Sequence, residues 1–342
     1  SPLGLVVGQE MLLRGSQLTD RLIPPGSQGY LEERSTRYPF KVVTRVSVGE
    51  YRAHIWDYSK VGIIVYPLLS LLFGVGIFWL TGRSTSPTQE LKRALDQQEF
   101  IPYLQPVVTG DDAHWSGCEV LMRWQHPRQG MISPDRFIPL AEDSGLIVPM
   151  TRLLMAQVRE AFAPLADQLP RGFHFGFNIS ASHCKDLSLV DDCRDFIYAF
   201  RDNPIKLVLE LTERELIVAD EVTDRLFAEL HQLGVFIAID DFGTGHSSLT
   251  YLQTFQVDFL KIDQSFVGMI GSDALSSHIV ENVIDLATRL GLLLVAEGVE
   301  TQVQADYLKA RKVDFQQGYL YGRPMPMTVF ASQLPAQKGS SA

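Results

Sequence analysis

Val235-Phe-Ile-Ala-Ile-Asp240-Asp241-Phe-Gly-Thr-Gly-His246 is the stretch whose reading decides the fold. Its apolar run, with Val235, Ile237 and Ile239 β-branched, suits a short strand buried on both faces. Two adjacent carboxylates close the run. They repel each other, so a buried strand carries such a pair at low cost only beside a cation. The glycines that follow suit a loop that must approach a ligand closely. The stretch reads as a strand that ends in a metal site handling phosphate.

The same grammar recurs along the chain. Phe175-Gly-Phe-Asn178 ends in an amide, Lys206-Leu-Val-Leu-Glu210-Leu-Thr-Glu213 in two acids, and Phe259-Leu-Lys261-Ile-Asp263 carries a lysine and an acid. Leu292-Leu-Leu-Val-Ala-Glu297-Gly-Val-Glu300 ends in two more acids, and Phe315-Gln-Gln317-Gly318 in amides. Upstream, Gly117-Cys-Glu119-Val-Leu-Met-Arg123 places an acid and an arginine in another apolar run. Amphipathic stretches, Glu221 to Leu233 and Ile279 to Leu290, separate the runs with helical spacing. Polar groups at successive strand tips, with helices between, predict a parallel β/α barrel that works at its C-terminal face.

In these motifs the chain resembles the EAL-domain cyclic-di-GMP phosphodiesterases over roughly residues 88 to 335. The resemblance rests on Tyr103-Leu-Gln105-Pro106, Glu119-Val120-Leu121 (Val for the family's Ala), Asn178-Ile-Ser180, Glu210-Leu-Thr-Glu213, Asp240-Asp-Phe-Gly-Thr-Gly, Lys261-Ile-Asp263, Ala296-Glu-Gly-Val-Glu300 and Gln317-Gly-Tyr. It implies an α/β fold, a TIM-like (β/α)8 barrel of EAL type.

The resemblance also implies roles. Glu119, Asn178, Glu210 and Asp240 would hold one divalent ion, and Asp240 with Asp241 a second. The residue types agree: hard oxygen donors without thiolate or imidazole suit Mg²⁺ or Mn²⁺. Two such ions can activate a water and steady in-line displacement at phosphorus. Lys261 would orient that water or neutralise charge, and Glu297 is general base or further ligand. Glu213 and Glu300 would steady the Asp240 loop and the lysine. Gln105, Arg123, Gln317 and Asp263 would contact substrate, Arg123 through its planar fork.

Residues 61–82 hold no charge, enough apolar length for a helix across the ~30 Å hydrocarbon core, with Tyr66 and Trp79 near its ends. The expectation is one transmembrane helix at 61–82, preceded by a short extracytoplasmic fragment at 1–60. A linker and lead-in helix at 83–98, a barrel at 99–335 and a disordered tail at 336–342 complete the division. Basic residues flank the span on both sides, so the positive-inside rule does not orient it. An intracellular dinucleotide substrate does: a bacterial inner-membrane protein with a cytoplasmic barrel and a periplasmic N-terminal segment.

Residues 1–60 resemble the end of a periplasmic sensor of CSS-motif phosphodiesterases, without its cysteines. The chain is expected to be a C-terminal fragment or processed form. Here Glu10 to Leu22 reads as a helix and Arg37 to Val48 as a strand.

Residues 1–60 hold eight basic and six acidic groups, net +2, which leaves −12 of the total −10 for the rest. So acidic a domain is a poor match for nucleic-acid polymers and binds a dianionic dinucleotide only where metal ions supply positive charge. Expected partners are cyclic-di-GMP, the membrane and a second copy of the chain, paired through the barrel beside the Asp-Asp loop. Two other readings stay open: a catalytically silent cyclic-di-GMP receptor, and another metal-dependent barrel phosphodiesterase.

Overall fold

The computed structural model describes residues 3–7, 10–13, 17–19, 30–45, 48–81, 86–110, 114–212, 220–242, 256–271 and 274–334. The chain divides into two units, Ser1–Thr85 and Ser86–Ala342. Glu213, the glycine loop after Phe242 and the tail expected at 336–342 lie outside the described residues.

In the first unit an antiparallel sheet forms from β1 (Leu3–Val7), β2 (Glu10–Leu13), β3 (Gln17–Thr19), β4 (Tyr30–Arg34) and β5 (Phe40–Arg45), in the order β3-β2-β1-β5-β4. The helix expected from Glu10 onward is therefore a strand. Leu12 and Met11 pair opposite Leu5 and Val6, and cross-strand pairing overrides a short stretch's helical preference. The strand expected within Arg37 to Val48 is present as β5.

Helix α1 (Val48–Thr81) covers the charge-free stretch. It starts well upstream of that stretch, carries exposed Arg52 and Lys60, and contains Pro67. Charged side chains are costly in hydrocarbon, so helix length alone does not make a span. Among the described residues no helix is long and apolar enough to cross a membrane. The transmembrane helix expected at 61–82, and with it the inner-membrane placement with a periplasmic N-terminal segment and cytoplasmic barrel, does not stand.

In the second unit, helix α2 (Pro87–Asp96) leads into β6 (Phe100–Thr109), which returns as β7 (Trp115–His126). The ring continues through β9 (His174–Asn178), β10 (Lys206–Thr212), β11 (Phe236–Phe242), β12 (Phe259–Ile262), β13 (Leu293–Ala296) and β14 (Phe315–Gln317). Strand β14 then closes on β6. Short β8 (Gly130–Ile132) and β15 (Met325–Pro326) sit on its margins. Seven strands of the ring run parallel, but β6 is antiparallel to both neighbours. The sequence reading expected a wholly parallel barrel. Strand β6 ends at Thr109 and its antiparallel partner β7 starts at Trp115, a separation too short for the helix a parallel crossover needs.

Side chains alternate along a strand, so every second residue faces the barrel interior. Val208, Ala238, Phe259, Val295 and Phe315 meet there as an apolar plug. Two residues further along the same strands come Glu210, Asp240, Lys261, Glu297 and Gln317. One period of two thus turns an apolar floor into a charged mouth. Helices such as α4 (Ile147–Phe162), α5 (Ser188–Ala199), α6 (Glu221–Gln232) and Ala274–Leu290 cover the outside. Their apolar faces join the outer strand residues in the main core, where Val120 is buried as a packing residue.

Candidate active site

Lys261 is the centre of the mouth. Its side chain is 2% exposed, and its ammonium lies 2.5 Å from Glu210 Oε2, 2.5 Å from Glu297 Oε1, 3.2 Å from Asp240 Oδ2 and 3.8 Å from Glu119 Oε2. Three buried carboxylates and the half-buried Glu297 thus face one cation. Burial lowers the pKa of the lysine, but Asp240, Glu119, Glu210 and Glu297 outweigh it and hold the pKa well above the ordinary value.

The acids respond unequally. Burial raises Glu119, yet Lys261, the amides of Gln317 and Asn178 and then Arg123 together bring it below its ordinary value. Burial pushes Glu210 up to about 8, with Glu119 and Asp240 adding to the push against Lys261. Glu297 goes the same way for the same reason, with burial first and Asp240 and Glu119 behind it. The cluster carries more negative charge than one ammonium neutralises, and protons are drawn in where a multivalent cation would otherwise serve.

Amides fix Glu119. Gln105 lies directly opposite it across β6 and β7. Asn178 Nδ2 donates to Glu119 Oε1 at 2.7 Å. Gln317 Nε2 donates to Glu119 Oε2 at 2.8 Å and to Gln105 Oε1 at 3.1 Å. Gln105 in turn donates to the Gly322 carbonyl at 3.2 Å. Asn178 stands exposed at the tip of β9.

Asp240 and Asp241 are neighbours in a strand and would ordinarily face opposite ways. A register shift between Ile239 and Phe242 and a positive φ of 55° at Asp241 break the alternation. The Asp241 amide donates to Asp240 Oδ1 at 2.8 Å. One carboxylate oxygen from each of Asp240, Asp241 and Glu297 then lies within 4.8 Å of the others. Holding a non-glycine residue in this region costs on the order of 1–3 kcal/mol, a cost found where a site requires it. Burial first, then Asp240 and Asp263, push Asp241 up to about 6. A hard divalent cation fits this donor set of carboxylates and one amide.

The remaining predicted residues fall in different places. Asp263 caps a short helix at Gln264–Val267, accepting from the Ser265 amide at 3.0 Å, and its side chain also meets Asp241. Arg123 is half-buried on the same face of β7 as Glu119, with its guanidinium 5.7 Å from the Tyr103 ring and donating to the Met122 carbonyl at 2.9 Å. Glu300 is exposed, apart from the acids around Lys261, and its backbone amide is held by Gln304 Oε1 at 2.8 Å.

Sequence reasoning missed Gly176. A Cβ there would fall 2.2 Å from Glu210 Oε1, so only glycine leaves that carboxylate its place. Its position two residues before Asn178, pointing inward, is the signal that could have found it. Glu99 was also missed: it accepts from Trp124 Nε1 at 2.9 Å and from Arg93 at 3.2 Å, tying α2 to the residue next to Arg123.

The EAL domain family model matches residues 88–324. A cyclic di-GMP phosphodiesterase of Escherichia coli K12, PdeL, is 47% identical over 251 residues, which are 73% of this chain and 69% of that protein. The probable cyclic di-GMP phosphodiesterases PdeG and PdeD of the same organism are 45% and 42% identical over 76% and 98% of this chain, but only 54% and 62% of their own lengths. The chain therefore spans between about half and two thirds of these relatives. Among solved structures, the PaMucR phosphodiesterase in complex with c-di-GMP aligns with a TM-score of 0.64 at 33% identity, covering 72% of this chain and 100% of that one. The cGMP-bound EAL enzyme Bd1971 aligns with a TM-score of 0.66 at 28% identity, covering 87% and 82%. With the matching family model spanning the whole ring of acids, this chain belongs to the EAL domain family.

Proposed function

We propose that the chain hydrolyses one phosphodiester bond of cyclic-di-GMP to give the linear dinucleotide pGpG, with residues 99–335 as its catalytic barrel. The observation that carries the reading is the crowding of Glu119, Glu210, Asp240 and Glu297 around Lys261 at the mouth of the ring. Relatives named cyclic di-GMP phosphodiesterases support the substrate.

Glu119, Asn178, Glu210 and Asp240 would hold one divalent ion, Mg²⁺ or Mn²⁺, and Asp240 with Asp241 a second, Glu297 being close enough to serve there too. The ions would supply positive charge for the phosphate oxygens and lower the pKa of the attacking water. Asn178 would present its amide oxygen for this role by turning over the amide whose nitrogen donates to Glu119 Oε1. Lys261 sets the direction of Glu210 and Glu297 and offers charge to the phosphorus centre as negative charge builds there. Glu297, raised by burial, is suited to take a proton from the attacking water. Arg123 would grip a phosphate oxygen at the rim, with Gln105 and Gln317 ordering the wall and Asp263 holding Asp241 in place.

Pairing of two barrels beside the Asp240–Asp241 strand end belongs to the same reading, and light scattering checks it. The deciding experiment incubates the purified chain with cyclic-di-GMP and Mn²⁺ and separates the products by chromatography. Linear pGpG is the expected product. Tight binding without product would make the chain a receptor, and activity on other phosphodiesters alone would move it to a different substrate class.

A further inference from the structure

A cavity of about 30 Å³ lies inside the barrel between the apolar plug and the acids. Its polar wall is Gln317, Glu210, Lys261, His174 and Cys118, with Ala238 among the apolar residues opposite. Gln317 is 4% exposed, and both hydrogens of its amide are committed, one to Glu119 and one to Gln105. Turning the amide over would set its oxygen against a carboxylate oxygen and a second amide oxygen, so its direction is fixed. The oxygen left over, Oε1, is buried, and no protein donor among the described residues reaches it. Buried acceptors in folded proteins are met by protein or by ordered water.

We propose that an ordered water occupies this cavity, donates a hydrogen bond to Gln317 Oε1, and thereby holds in place the amide that orients Glu119. A water needs roughly 10–15 Å³ of such space and two or more polar partners. The cavity exceeds that volume, and its wall supplies the partners. The water is a positioning element: it touches neither substrate nor phosphorus, and it acts through Gln317 on a carboxylate of the metal-binding set. Ala238 closes the floor opposite, which keeps the space wide enough.

The test is a high-resolution crystal structure of the metal-free chain, with a parallel crystal pressurised with xenon. The expected result is a density peak about 2.7–3.2 Å from Gln317 Oε1 and no xenon in the cavity. A cavity without that peak, or one that takes up xenon as dry apolar cavities do, overturns the proposal. Ala238→Val, checked by its melting curve, fills the space. It is expected to remove the peak and lower kcat about tenfold with KM unchanged, as loss of a positioning contact does. Unchanged kcat in a folded variant that has lost the peak would show that the water locks nothing. The density arm is independent of the phosphodiesterase reading, so failure of one is distinguishable from failure of the other.

Discussion

Glu210 occupies the space that a side chain on Gly176 would need: a Cβ built on Gly176 falls 2.2 Å from Glu210 Oε1. Both residues are inside the ring, so neither can move outward to relieve the clash. Gly176→Ala is therefore expected to push the carboxylate away from Lys261 and cost about 1–3 kcal/mol of stability. Misplacing a reacting group by about 1 Å can cost roughly a hundredfold in rate, and a turnover loss of that order is expected. Denaturant unfolding and initial rates check both. Full turnover in a destabilised variant would show that the position of Glu210 does not matter.

The acids predict a pH dependence that depends on metal. Glu210 is raised to about 8 and Asp241 to about 6, both above the roughly 4 of an unfolded carboxyl. A carboxyl raised in this way binds more protons folded than unfolded. Its stabilising contribution is complete below the unfolded value and is lost as pH rises through the folded one. Without metal, the melting temperature should fall between about pH 4 and 8. Divalent ions need the deprotonated acids, so their affinity should rise by about tenfold per pH unit for each proton released. Calorimetry across that range, with and without Mn²⁺, should show the two melting curves separating as pH rises. A metal-free melting temperature that climbs through the window contradicts the assignment.

Lys261→Met keeps the length of the side chain and removes its charge. Three buried carboxylates and the half-buried Glu297 then lack a counter-charge, and breaking a buried ion pair on one side costs about 3–5 kcal/mol. The loss is expected in metal-free protein and should shrink when Mn²⁺ saturates the site. In kinetics kcat should fall far more than KM changes, because the lysine matters most as charge develops at phosphorus. An equal rise in KM with kcat preserved would make Lys261 a binding residue only.

Arg123→Lys tests the rim. The fork that would reach a phosphate oxygen is lost while the charge is kept, and at a bidentate site this exchange is not conservative. KM for cyclic-di-GMP is expected to rise about tenfold with kcat within a factor of a few, measured by steady-state rates. An unaltered KM would place Arg123 outside the substrate's reach.

The acids at strand tips were legible because charge at the end of a short apolar run is chemically conspicuous. Asp240, Glu210, Glu297 and Lys261 each announced themselves in this way, and the structure gathers all four. Gly176 was legible only as an inward position two residues before Asn178, since its contribution is the volume it leaves to Glu210 on another strand. The hairpin that reverses β6 was equally hidden, because hydrophobic period does not record strand direction. Asp263 read as a group facing substrate, yet a carboxylate one residue before a helix is also its cap, and spacing does not separate these uses. The charge-free run at 61–82 was read from its apolar length and the aromatics near its ends, while the helix that covers it up to Thr81 extends over charged residues on one side.

The reversed first strand has a consequence for biosynthesis. Glu119 receives the Gln317 amide across 198 positions of chain, and β6 meets β14 only at the end of the ring. At about 5–20 residues per second of synthesis, the carboxylate waits roughly 10–40 s for its partner. Every acid up to Glu300 has by then been made, but the ring is still open along the β6–β14 seam. A nascent or C-terminally clipped chain that stops before Phe315 therefore holds the full complement of acids without the wall that orders them.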